Sequence, residues 1–76
     1  MARFLHLVKA DSPSLAGSVI DANARESGAH VTVILLHGAT PPALPPTVEI
    51  HRLAPDDLDY SAVLDLIFQS DHVVAW

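Results

Sequence analysis

Hydrophobic and polar positions change rhythm along the chain in a way that marks out alternating strands and helices. In residues 3 to 9 (RFLHLVK), Phe4, His6 and Val8 fall on one face of an extended chain, and Arg3, Leu5, Leu7 and Lys9 on the other. With little polarity at its centre, this segment predicts a strand covered on both faces. Ser12 then offers an N-cap and Pro13 a first helical residue, where a missing N–H costs nothing. Leu15, Ala16, Val19, Ile20 and Asn23 recur at helical spacing while Asp21, Arg25 and Glu26 point away. Gly28 stands where a left-handed cap would close that helix near Ser27. The run from His30 to His37 (HVTVILLH) is almost wholly β-branched and aliphatic, as expected of an interior strand in a parallel sheet.

Gly38 to Pro46 holds four of the six prolines, which predicts a stiff, partly polyproline-like connection in place of a crossover helix. Thr47 to Arg52 alternates Val48 and Ile50 against Glu49 and His51, a strand near the sheet edge. Tyr60, Val63, Leu64, Ile67 and Phe68 then form an amphipathic stripe capped by Asp59, with Tyr60 and Phe68 expected in the core. Asp71 to Trp76 (DHVVAW) reads as a final strand. Strands alternating with helices imply an α/β fold: a small open parallel sheet of about four strands with two helices.

Half of the 76 residues are hydrophobic and 17% are charged, so residues 1–76 should fold as one domain. A domain this small leaves apolar surface uncovered, which oligomerisation would relieve. Cysteine is absent, which removes disulfides, thiolate metal sites and a cysteine nucleophile. Nine acidic residues against four basic give a net charge of −5, which argues against a grip on nucleic-acid phosphates. The longest apolar run, Val31 to Leu36, is far short of the roughly 20 residues that cross a bilayer. Met1-Ala2-Arg3-Phe4 leads straight into an alternating segment without the pattern of a signal peptide, so a cytoplasmic protein is expected.

Candidate chemistry is sparse. His37 and Gly38 close the second strand at its carboxyl end, where open α/β sheets bind ligands, and Lys9, Asp11 and Ser12 follow the first strand at the same end. Lys9, Ser12, His37 and Gly38 are therefore the candidate ligand-binding residues, set against the plainer reading that Gly38 turns the chain and Ser12 caps a helix. Five histidines, His6, His30, His37, His51 and His72, lack the local spacing of a metal site and read as scattered strand-face residues, so no metal or cofactor is expected. Asp56, Asp57 and Asp59 are explained by the positive end of the following helix dipole. No G-x-S-x-G elbow is present, and intrinsic catalysis has no positive signal. Ala62 and Leu66, on the side of the last helix away from its main stripe, and Trp76, the lone tryptophan, are candidate subunit contacts. Core overflow in a small domain is the competing explanation for the first two.

Three stretches together resemble the DsrH/TusB proteins: Phe4-Leu5-His6-Leu7-Val8-Lys9 before a Ser-rich turn, Val31 to Gly38 (VTVILLHG), and Leu58-Asp59-Tyr60 with Val63-Leu64-Asp65-Leu66 and Val73-Val74-Ala75-Trp76. The resemblance implies a flavodoxin-like, DsrE/DsrH-like subunit that joins DsrE/TusD-like and DsrF/TusC-like partners in a sulfur relay. Such a relay serves tRNA wobble-uridine 2-thiolation or sulfur oxidation. Two departures stand out. Many DsrH members carry a cysteine after the first strand, whereas this chain has Lys9-Ala10-Asp11-Ser12, and a serine oxygen cannot hold a persulfide. A Pro-rich loop and one strand also replace the additional element that family members have before the last helix. The expectation is a non-catalytic interface subunit whose partners supply the thiol. The alternative is a small-ligand or nucleotide-binding α/β module acting as a homo-oligomer.

Overall fold

The computed structural model describes residues 2–10, 15–36, 39, 44–53, 57 and 59–76. Four strands and two helices follow one another as β1 (Ala2–Val8), α1 (Leu15–Ala24), β2 (Ala29–Leu35), β3 (Glu49–Arg52), α2 (Tyr60–Gln69) and β4 (His72–Ala75). The strands form a single parallel sheet in the order β3-β2-β1-β4. The α/β class and the parallel sheet expected from the sequence are therefore present.

The alternation along β1 sorts its side chains into two cores. Val8 joins Ile20 of α1 with Val31, Val33, Leu35, Ala39 and Val48, and Phe4 and Trp76 pack against this cluster. Leu5 joins Ile34 and Val63 of α2, with Leu7, Leu36, Leu66 and Ile67 around them. One helix thus covers each face, which is why β2 can be apolar throughout: Val31 to Leu35 are all buried.

The element ends shift for identifiable reasons. α1 stops at Ala24, and Gly28 lies beyond it as the third residue of a turn closed by the Ala29 N–H donating to the Glu26 carbonyl at 3.2 Å. Its φ of +77° is left-handed, a region that glycine enters without steric cost, so Gly28 serves the turn and not the helix cap. The start of α1 expected at Ser12 and Pro13 falls outside the described residues. β4 is prolonged at both ends by backbone bonds, Asp71 N–H to the Arg3 carbonyl at 2.9 Å and Trp76 N–H to the Leu7 carbonyl at 3.0 Å. In the Pro-rich connection, the Val48 N–H donates to the Pro45 carbonyl at 3.1 Å, and Leu44, Ala39 and Val48 lean on the α1-side core.

α2 departs from expectation in its rotation. Val63, Leu66 and Ile67 turn toward β1, whereas Tyr60, Leu64 and Phe68 face outward, 76, 53 and 85% exposed. Tyr60 and Phe68 are therefore not core residues, and Leu66 packs inside the domain while Ala62 is half-buried. The sheet offers α2 a narrow floor, since both edge strands are only four residues long, and a row of branched side chains at 63, 66 and 67 fits it. No helix among the described residues is long and apolar enough to cross a membrane.

Candidate functional site

At the carboxyl end of the sheet, where a ligand site was expected, Lys9 follows β1 and is exposed. Ser12, His37 and Gly38 lie outside the described residues, so of that set only Lys9 is placed. The point at which the strand order reverses lies between β1 and β4, and its residues there are Val8 and Lys9 beside Ala75 and Trp76.

Trp76 turns inward at that point. Its indole Nε1–H donates to Nδ1 of His6 at 3.1 Å, and the planes of the two rings are nearly parallel, 16° apart. His6 Nδ1 is thus the acceptor, which leaves Nε2 to carry the proton and donate to Asn23 Oδ1 of α1 at 2.9 Å. His6 is fully buried at the centre of β1, and this burial lowers its pKa, with the Asn23 bond opposing in part. A neutral histidine with both nitrogens engaged is a structural strut joining β1, α1 and the residue after β4. Its partners stand 17 and 70 positions away, and no local spacing announces them.

A second histidine is held at the end of β3. Asp57 accepts from the Arg52 N–H at 3.0 Å and pairs with His51 Nδ1 at 3.0 Å. These bonds, the backbone one foremost, keep the Asp57 carboxyl below its usual range. Arg52 also donates through Nη1 to the Ala39 carbonyl at 3.1 Å. The group ties Asp57 to the end of β3 and, through Arg52, β3 to Ala39. An Asp–His pair by itself lacks a nucleophile, and no hydroxyl bonds to His51 among the described residues.

At the opposite, amino end of the strands lies a cavity of about 290 Å³ between the sheet and the end of α2, lined in part by Arg3, His30, Thr32, Glu49, Leu66 and Gln69. The polar side chains converge because Arg3 pairs in register with His30, and Thr32 with Glu49. Glu49 Oε2 is 3.4 Å from His30 Nε2 and accepts from Thr32 Oγ1 at 3.5 Å. Much of the polar chemistry here is satisfied internally. Among the described residues, no three His, Cys, Asp or Glu side chains are grouped to hold a metal ion.

The outward face of α2 is the feature that the fold does not consume. Asp59 caps the helix by accepting from the Ala62 N–H at 2.9 Å. Ser70 ends it, donating through its hydroxyl to the Leu66 carbonyl at 2.6 Å. Asp71 then anchors the turn into β4: its carboxylate accepts from the Arg3 N–H at 2.8 Å. Asp71 thus ties the carboxyl end of α2 to β1, and with Val63, Leu66 and Ile67 packed inward, Tyr60, Leu64 and Phe68 remain as an exposed row. Comparison with protein-family models, with curated proteins and with solved structures yields no match to this chain.

Proposed function

We propose that the chain is a non-catalytic, DsrH/TusB-like cytoplasmic subunit that contributes an interface to a sulfur-relay assembly. The observation that carries this reading is the exposed Tyr60, Leu64 and Phe68 row on a helix whose carboxyl end is tied to β1. Exposed aromatic patches of this kind on a small domain are characteristic of contact surfaces. Further support comes from the segments that carry the family resemblance: His6 of β1 and Trp76 meet in one hydrogen bond, and Asp59 caps the helix that bears the exposed row. Without cysteine the chain cannot carry a persulfide, so a partner supplies the thiol and this subunit holds it in place. Co-expression with DsrE- and DsrF-type proteins followed by native mass spectrometry tests the reading. A complex containing all three chains is expected, and recovery of the free chain alone contradicts it.

A further inference from the structure

Tyr60, Leu64 and Phe68 stand at successive i, i+4 positions, so their outward side chains form a single ridge along α2. Ridges with this spacing bed between the side-chain rows of a second helix. At their fractional exposures the three offer roughly 400 Å² of side-chain surface, about half of one side of an ordinary stable interface. The other half has to come from the rim.

The charged residues in α2 and directly flanking it have one sign. Asp65 is exposed and lies one helical turn before Phe68, Asp59 precedes Tyr60, and Asp71 follows the helix; all three are exposed. Neither α2 nor β4 contains a lysine or arginine. Arg3, on this side of the sheet, lines the amino-end cavity with Leu66 and Gln69. Two copies meeting ridge to ridge would set these carboxylates against each other in a chain that already carries −5, which works against self-pairing.

We propose that the Tyr60, Leu64 and Phe68 ridge docks an amphipathic helix of a different protein, with lysine or arginine flanking its apolar face, and not a second copy of this chain. The inference rests on the interface reading above and names the chemistry of the partner.

Two labelled synthetic helices sharing one leucine face, flanked by lysine in one and by glutamate in the other, provide the probe by fluorescence anisotropy. The lysine-flanked helix is expected to bind at least about tenfold more tightly, and Phe68→Ser should weaken it by about tenfold or more. Asp65→Lys should weaken it too, and added salt should narrow the gap between the two helices. Leu15→Ser, at an exposed apolar residue of α1, should leave binding unchanged. Each variant is at an exposed position, and its melting curve verifies the fold. Equal binding of both helices, no binding of either, or indifference to Phe68→Ser would overturn the proposal. So would a dimer of the isolated chain that Phe68→Ser dissolves, since the occupant would then be a second copy. If the helix binds as stated but no complex forms with DsrE- and DsrF-type proteins, the sulfur-relay reading fails while the docking ridge stands. If that complex forms and is indifferent to Phe68→Ser, the ridge fails while the relay reading stands.

Discussion

His6 shows how one side chain can be fixed by its neighbours. Its Nδ1 accepts from Trp76 and its Nε2 donates to Asn23, so protonation would turn Nδ1 from acceptor to donor and face it with the indole N–H. Because burial lowers its pKa in the folded state, the unfolded chain binds more protons near and below the ordinary value of 6.5. Stability from this group is therefore complete above 6.5 and is lost as pH falls through the lower, folded value. The melting temperature should decline as the solution is acidified from about pH 7.5 to 5, and His6→Gln should flatten that decline. An equally steep decline in the variant would contradict the assignment. Asp57, also held low, contributes in a separate window, its stabilisation being lost only as pH falls below 3.8. Trp76→Phe keeps the ring but removes the donor, leaving the buried Nδ1 without its bond; urea unfolding should show a loss of about 1–3 kcal/mol.

For whole elements, the same chemistry at two positions of α2 separates the observed rotation from the one suggested by the sequence. Leu66 packs on the Leu5 and Ile34 core, whereas Leu64 is 53% exposed. Leu66→Ala should cost at least about 1 kcal/mol, and Leu64→Ala should stay within about 0.5 kcal/mol, both read from denaturant curves. The reverse order would place α2 in the other rotation. β1 and β2 were legible from residue pattern alone, because period-two alternation fixes faces and an unbroken apolar run requires cover on both sides. In α2, by contrast, Tyr60, Ala62, Val63, Leu64, Leu66, Ile67 and Phe68 are all apolar, so periodicity identifies the helix without fixing its rotation. Gly28 was readable as a left-handed residue but not as part of a turn, since the Glu26–Ala29 hydrogen bond that defines the turn lies outside the helical pattern. The His6 and Trp76 contact spans the whole chain and leaves no local trace. The amino-end cavity had only a weak signal, polar residues at the starts of three strands that became neighbours once the register was fixed.

Taken as a molecule, the protein divides its surfaces unequally. α1, with Ala39, Leu44 and Val48, covers one face of the sheet, and the cluster there includes the buried Ile20 and Val33. On the other face α2 buries Val63 and presents two aromatic rings outward. Exposure of those rings does little for the stability of a lone chain, and Phe68→Ser should accordingly shift unfolding by no more than about 0.5 kcal/mol while impairing association. That separation of fold from assembly is the core of the account. It is tested most directly by native mass spectrometry of the chain co-expressed with DsrE- and DsrF-type proteins, with wild-type and Phe68→Ser chains side by side. The account predicts a three-component complex for the wild type and a well-folded but free Phe68→Ser chain; a wild-type chain that stays free, or a complex of undiminished abundance with the variant, would contradict it.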